Sequence, residues 1–193
     1  GGGESERAAG WGLTAEGLEV VRAANALGVL LDLSHTSDAT AKAVLEASRA
    51  PVAWTHSNAR ALAEHPRNVP DELLDRIKEN GGIVMATFVP SFLEDGVRRA
   101  TDHGVPMARV ADHVEYLAER VGARHVGLGS DFDGIAFAPD GLGDAAAMPA
   151  LVAELLRRES LTEDDVAGIV GGNFLRVLEG VEAAADGAGA AAA

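Results

Sequence analysis

The sequence contains no cysteine. This absence excludes disulfide bonds, thiolate metal sites and a cysteine nucleophile. It leaves histidine, together with aspartate or glutamate, as the metal ligands that the chain can offer. The redox state of the compartment stays open.

Basic residues are few in comparison with acidic ones. The 193 residues include 16 Lys and Arg against 30 Asp and Glu, which gives a formal net charge of −14. A phosphate backbone or an anionic membrane surface would on average repel such a chain. We therefore expect neither nucleic acid nor a membrane among its partners.

Long hydrophobic runs are also absent. No stretch approaches the roughly 20 apolar residues of a membrane-spanning helix, and the chain does not open with the regions of a signal peptide. These absences predict a cytoplasmic protein. Both ends are rich in glycine or alanine, so we expect a flexible lead at residues 1–12, one folded domain at 13–185 and a disordered tail at 186–193.

Aromatic residues make up only 4% of the chain, whereas hydrophobic residues as a whole make up 47%. Such a composition favours helices packed on a parallel sheet over an aromatic-rich sandwich. Short apolar runs alternate with helical patterns along the chain. The predicted strands are 29–33, 52–55, 83–88 and 125–129.

The helical segments carry start and stop signals. Thr14 is a suitable N-cap for a helix at 13–27, and Thr162 opens a capping box before a helix at 162–170. The Gly171-Gly172-Asn173 segment is interpreted as a helix stop followed by an N-cap, not as a phosphate-binding turn. Further helices are predicted at 38–48, from 70 onward, and at 107–121, 148–158 and 173–185.

Strands that alternate with helices imply right-handed crossovers and a parallel sheet. In a β/α barrel the active site lies at the carboxyl ends of the strands, and the residues that follow the predicted strands are His35, His56, Thr87 and Asp131. A complete eight-stranded barrel needs about 250 residues. The chain is therefore expected to form either a smaller α/β fold or part of a barrel.

His35 and His56 each follow an apolar strand, and one helix separates the two strands. Two imidazoles side by side can hold a borderline metal such as zinc. One such histidine alone would more often form a hydrogen bond within its loop. The matched placement of the pair favours a metal site.

Asp131 and Asp133 flank Phe132 in a glycine-rich turn after the last predicted strand. One carboxylate is expected to face the strand ends, where it could bind a metal or act as a general base, and an Asx-turn or helix cap is the alternative. Arg67 lies in the loop after the strand of His56. Its guanidinium could bind a carboxylate, although most loop arginines are only solvated.

The remaining histidines lack a comparable placement. We expect surface or helix-packing roles for His65, His103, His113 and His125. No Gly-x-Ser-x-Gly elbow occurs in the sequence, so a serine hydrolase has no visible nucleophile.

Taken together, these segments resemble the membrane (renal) dipeptidase family, peptidase family M19. The motifs occur in the family order from about residue 13 to 182. Residues 28–35 and 51–57 look like the two zinc-binding strands of the family. Residues 67–71 look like the loop with the substrate-binding arginine, and residues 127–134 look like the segment with the catalytic aspartate. Residues 172–177 look like the closing helix.

The resemblance implies the C-terminal half of a (β/α)8 TIM-type barrel and a zinc-dependent dipeptidase that cleaves dipeptides by a metal-bound hydroxide. His35 and His56 would bind one zinc ion, and Asp131 would pass the proton of the water to the leaving amine. Arg67 would hold the free carboxylate of the dipeptide. The family has two zinc ions bridged by a glutamate, with a His-x-Asp pair on one of them, and no His-x-Asp precedes His35 here. A homodimer stays open.

Two alternatives remain. A truncated dipeptidase-like chain could serve as a non-catalytic binding or structural module. The coding sequence upstream of Gly1 would distinguish this module from the enzyme, because the enzyme needs a His-x-Asp strand and a strand that ends in Glu. Another barrel metallohydrolase would share the metal chemistry but should show a His-x-His strand and a carbamylated lysine. Only Lys42 and Lys78 are present, both in predicted helices.

Overall fold

The structure, a computed structural model, describes residues 12–97 and 104–190, without the side chains of 186–190. His103, the predicted lead apart from Gly12, and residues 191–193 of the predicted tail lie outside the described residues. The strands in the described part are β1 (Ala53–Trp54), β2 (Ile83–Ala86) and β3 (Val126–Leu128). The helices there are α1 (Ala15–Leu27), α2 (Asp38–Ala47), α3 (Asp71–Asn80), α4 (Pro90–Leu93), α5 (Ala108–Val121), α6 (Met148–Arg157), α7 (Glu163–Ala167) and α8 (Asn173–Ala190).

Local capping interactions fix the helix ends. The backbone N–H of Gly17 donates to the hydroxyl of Thr14 at 3.1 Å, and Gly28 ends α1 with a φ of 67°. Thr162 and Asp165 form a reciprocal capping box at the start of α7. These caps confirm the predicted N-caps Thr14 and Thr162 and the predicted end of α1, because each involves residues within one helical turn of the end that it satisfies.

The described strands form a parallel sheet in the order β1-β2-β3. The predicted strand at 29–33 contributes only a parallel bridge between Asp32 and Ala53. One oxygen of the Asp32 carboxylate accepts the backbone N–H groups of Ser34 and Thr55 at 2.9 and 3.1 Å. The carboxylate thus accepts the Thr55 N–H, which in a regular parallel ladder would donate to a backbone carbonyl of the neighbouring strand. The prediction of a full strand at 29–33 is therefore wrong.

The core lies between this sheet and the helices that cover it. The α3, α5 and α6 helices each bury large apolar side chains in this core, and each fully buried leucine or isoleucine stabilises the fold by about 1.5–3 kcal/mol relative to an exposed position. Representative core residues are Leu74, Ile77, Leu117, Leu151 and Leu155. The predicted α/β class with parallel strands is confirmed.

The segment around Gly171 and Gly172 differs from its prediction. Residues Gly168–Gly172 form a π-helical turn that joins α7 to α8 without a break. Asn173 does not cap the following helix, since its Nδ2 donates to the carbonyls of Ala123 and Val126, each at 2.8 Å. The predicted helix stop is therefore wrong because the π-helical turn continues the helix, and the predicted N-cap is wrong because the side-chain amide of Asn173 binds carbonyls in and just before β3.

The last helix also runs beyond its predicted end at residue 185, as far as Ala190. Among the described residues, no helix is both long enough and apolar enough to cross a membrane.

Candidate active site

His35 and His56 meet at the carboxyl edge of the sheet. Their Nε2 atoms are 3.0 Å apart, and their ring centroids are 5.0 Å apart with an angle of 57° between the planes. Two nitrogens that share a tetrahedral zinc ion at about 2.0–2.1 Å each lie roughly 3.3 Å from one another. The observed separation fits that arrangement, and it also fits a hydrogen bond between the two rings.

The ring of His56 is oriented by a hydroxyl and a carboxylate. The Thr55 hydroxyl donates to Asp32 Oδ2 at 2.6 Å, so it accepts from His56 Nδ1, which lies 2.8 Å away. This pattern places the proton of the neutral ring on Nδ1 and leaves the lone pair of Nε2 directed at His35. Partners of this kind orient metal-binding histidines and raise their basicity.

The backbone of His35 adopts a left-handed conformation with a φ of 71°. Two neighbours hold the turn in place: the backbone N–H of Thr36 donates to the Leu33 carbonyl at 3.1 Å, and the Ser34 hydroxyl accepts the His56 N–H at 3.1 Å. Left-handed residues other than glycine persist only where surrounding contacts enforce them, and such residues concentrate at functional sites.

Asp131 follows β3 and shares the left-handed conformation, with a φ of 62°. Its carboxylate folds over Gly134, where an added Cβ would lie only 2.2 Å from Oδ1. The N–H of Gly129 donates to the Ala86 carbonyl at 2.9 Å, and a Cβ at Gly129 would lie 1.8 Å from the Thr55 carbonyl oxygen. The end of β3 thus approaches the strand end that carries His56, while Asp133 is exposed.

Arg67 and His35 line one small cavity. The Arg67 guanidinium lies over the ring of Phe92, with Cζ 5.2 Å from the ring centroid. The backbone N–H of Arg67 donates to His65 Nδ1 at 3.1 Å, and the His65 ring contacts the same Phe92 ring at a centroid distance of 4.2 Å. The loop therefore brings the predicted substrate-binding arginine beside one histidine of the pair.

Asp32 and Ser57 are polar residues of the site that the sequence analysis did not predict. Asp32 interrupts an apolar run between Leu31 and Leu33. Because side chains alternate along a strand, a carboxylate at this position faces the opposite side from its leucine neighbours, and this pattern could have indicated a polar role for Asp32. Ser57 follows His56 directly and lines the cavity of Arg67 and His35. Its buried hydroxyl has no hydrogen-bond partner among the described residues.

The described residues provide only part of a metal site. Within 12–97 and 104–190, no group of three or more His, Asp or Glu side chains is placed to hold a metal ion. The donor chemistry of His35 and His56 fits two positions of a zinc site. Any further ligands would have to come from outside the described residues.

Two other histidines are buried away from this edge. Both nitrogens of His113 are bonded, and burial lowers the pKa of its ring from 6.5 to about 4. His125 Nδ1 lies 2.9 Å from the Gly82 carbonyl, and burial lowers the pKa of His125 as well. These two residues have the packing role that was expected of them.

Comparison with known proteins gives a consistent set of similarities. The family profile described as membrane dipeptidase (peptidase family M19) matches residues 3–191. The chain is 44% identical over 172 residues to dipeptidase verJ of Clonostachys rogersoniana, and 48% identical over 171 residues to dipeptidase aclJ of Aspergillus oryzae. Each alignment covers 89% of this chain, but only 42% and 39% of the respective relative.

A solved structure agrees with these sequence similarities. A metallopeptidase from Rhodobacter sphaeroides, liganded with a phosphinate mimic of the dipeptide L-Ala-D-Ala, superposes with a TM-score of 0.81 and 37% identity. The match covers 89% of this chain and 48% of that protein. The chain thus spans less than half the length of each of these three relatives.

Proposed function

Because the chain belongs to the membrane dipeptidase family, peptidase family M19, we propose that it forms the C-terminal part of a zinc-dependent enzyme that hydrolyses dipeptides. The observation that carries the proposal is the pair of Nε2 atoms of His35 and His56, 3.0 Å apart at the carboxyl edge of a parallel sheet. The ligand of the Rhodobacter sphaeroides relative, a mimic of a dipeptide, supports a substrate of that size.

His35 and His56 would hold one zinc ion, together with ligands from outside the described residues. Bound zinc polarises a carbonyl group and lowers the pKa of a coordinated water molecule to near 7. Asp131 removes the proton of the attacking water and delivers it to the nitrogen of the leaving amine. The water oxygen joins the carbonyl carbon, the C–N bond breaks, and two amino acids leave.

Arg67 binds the free carboxylate of the dipeptide. Its planar guanidinium offers two parallel donors to a carboxylate, which a lysine cannot match in geometry. A longer peptide would carry its carboxylate beyond this loop. The position of Arg67 beside His35 therefore supports a limit to short substrates.

We also propose that residues 13–185 are the C-terminal portion of a (β/α)8 barrel. In the described part of the chain, the parallel sheet has β3 at one edge and only the Asp32 bridge beyond β1 at the other. Open edges of this kind tend to pair with further strands. Residues 1–193 alone are expected to self-associate, whereas a chain extended upstream in its gene should be compact and active.

The test of the metal site is the zinc content of the protein expressed from its complete reading frame. His35→Ala and His56→Ala should each remove most of the bound zinc together with the dipeptidase activity. His125→Gln serves as the matched control, because His125 lies at the start of β3, away from the carboxyl edge. Unchanged zinc content in both site variants would refute the proposal.

The roles of Arg67 and Asp131 are separable by kinetics. Arg67→Ala should weaken transition-state binding of a free dipeptide by about 2–4 kcal/mol, whereas Asp131→Asn should mainly lower kcat. A dipeptide amide lacks the carboxylate and should be insensitive to Arg67→Ala. An unaltered ratio of kcat/KM for the free dipeptide and its amide in the Arg67 variant would exclude the carboxylate role.

A non-catalytic binding or structural module is the second candidate. It is favoured by the two-residue donor set, since the described residues contain no group of three metal-binding side chains. If the protein from the complete reading frame binds no zinc while it folds normally, this second candidate replaces the first. The cytoplasmic location and the homodimer stay predictions from the sequence.

A further inference from the structure

The loop that carries Arg67 is anchored by the side chain of its neighbour, Asn68. Asn68 is only 1% exposed. Its Nδ2 donates to the carbonyls of Ala63 and Phe92 at 2.9 and 2.8 Å, and its Oδ1 accepts the backbone N–H of Asn58 at 3.3 Å. One buried amide thus ties the loop to three separate points of the backbone.

Asn58 connects this loop to the end of β2. Its Oδ1 accepts the N–H of Thr87 at 3.0 Å, and its Nδ2 donates to the carbonyl of the same residue at 3.1 Å. The side chain therefore bonds to Thr87 as a neighbouring strand would. The Asn58 carbonyl also accepts the N–H of Val69 at 2.8 Å, so both sides of the loop are fixed to the sheet.

The anchoring amide and the arginine share one aromatic residue. The Phe92 carbonyl accepts Nδ2 of Asn68, while the Phe92 ring lies 5.2 Å from the guanidinium carbon of Arg67. A guanidinium within about 6 Å of a ring centroid is attracted to the face of the ring, more strongly where water is excluded. Phe92 is 9% exposed, so the contact is largely shielded from water.

We propose that Asn68 and Phe92 are positioning residues that hold the Arg67 guanidinium beside His35 and so set the preference for substrates with a free carboxylate. This inference rests on the proposed function of Arg67. A guanidinium that is ordered before the substrate arrives loses less conformational freedom on binding, which strengthens its contribution to affinity. The hydrogen bonds of Asn58 and Asn68 fix the Arg67 loop to the end of β2 and so order the guanidinium in advance.

The experiment uses the protein from the complete reading frame and measures kcat/KM for a dipeptide and for the corresponding dipeptide amide. Their ratio is the carboxylate preference. Asn68→Ser removes the anchoring amide, and Phe92→Leu removes the ring but keeps the backbone carbonyl that Asn68 uses. Each change should lower the carboxylate preference about fivefold, with kcat/KM for the amide within about twofold of wild type.

Asn25→Ser is the matched control. Asn25 is a buried asparagine whose side chain bonds to Ser48 and to the N–H of Arg49, at the junction of α1 and α2. Its loss should lower thermal stability without changing the carboxylate preference. In an Arg67→Ala background, Asn68→Ser should have no further effect on the preference, because the group that it positions is gone.

The outcomes distinguish the positioning role of Asn68 and Phe92 from the carboxylate-binding role of Arg67. If Arg67→Ala abolishes the preference while Phe92→Leu keeps the wild-type value, the positioning role is wrong and the function of Arg67 stands. If Arg67→Ala itself keeps the wild-type preference, both fail. Should Asn68→Ser not fold, Phe92→Leu decides alone, since the shorter apolar side chain leaves the backbone bonds of the loop intact.

Discussion

The buried ring of His113 predicts a loss of stability at mildly acidic pH. His113 is 1% exposed, and it lies between the loop after β1 and the α4 helix. Its Nδ1 accepts the N–H of Ala59 at 3.2 Å, and its Nε2 donates to the Leu93 carbonyl at 3.2 Å. Only the neutral ring with its proton on Nε2 satisfies both partners, because a proton on Nδ1 would face the Ala59 N–H.

The size of the effect follows from the pKa of this ring. Burial lowers the pKa of His113 from 6.5 to about 4 in the folded protein, against a smaller opposite effect of the Leu93 carbonyl. The unfolded chain therefore binds more protons between these two values, and stability falls as the pH falls from about 6.5 towards 4. The difference corresponds to about 3 kcal/mol, of which about 2 kcal/mol is lost between pH 7 and about pH 4.5.

Urea unfolding of wild type and His113→Gln, measured from pH 7 to about pH 4.5, isolates this contribution. The glutamine keeps a donor for Leu93 but does not titrate. At pH 7 the variant should be less stable by about 1–3 kcal/mol, because the Ala59 N–H loses its acceptor. At about pH 4.5 that gap should narrow by about 2 kcal/mol. Parallel curves would refute the reasoning, and an NMR titration of the ring gives a local check.

Three further changes have defined outcomes. Asp32→Asn should weaken zinc binding about 10- to 100-fold, because the Thr55 hydroxyl that orients His56 loses its charged acceptor. Competition with a chelator measures the zinc affinity, and an unchanged affinity would contradict this expectation. Gly129→Ala should destabilise the protein by about 1–3 kcal/mol in thermal unfolding, since the new Cβ meets the Thr55 carbonyl, and an unshifted Tm would exclude that clash. Arg158→Ala should lower the free energy of unfolding in urea by about 1 kcal/mol, because Glu115 loses its ion pair with Arg158 while Asp112 and Glu154 keep their contacts with Arg109 and Arg157. An unchanged free energy of unfolding would contradict this.

Features that depend on neighbours in the chain could be predicted from the sequence. The caps at Thr14 and Thr162 were predictable because donor and acceptor lie three residues apart. The proximity of His35 and His56 was predictable as well, since parallel segments end at the same edge of a sheet, although the segment before His35 pairs with β1 only through the bridge of Asp32. These local patterns were sufficient for the fold class and for the proximity of the two histidines.

Features that depend on distant partners could not be predicted. Asp32 and Thr55 are 23 residues apart, and nothing in either segment alone indicates that they share a hydrogen bond. Asn173 has the composition of an N-cap, yet its amide bonds to Val126, 47 residues earlier. The same limit applies to Asn68, whose contact with Phe92 requires the loop and α4 to be already packed. Tertiary contacts override local preference at each of these positions.

The left-handed residues of the site carry a consequence for directed evolution. Among the described residues, His35, Asp131 and Glu159 are the non-glycine positions with positive φ, and each costs about 1–2 kcal/mol that glycine would remove. A library selected for heat resistance alone should therefore enrich glycine at all three positions. A library selected for hydrolysis should keep that enrichment only at Glu159, which lies in a turn outside the candidate site. A comparison of the two selections would show at which positions the relief of backbone strain by glycine conflicts with the need for the side chain in hydrolysis.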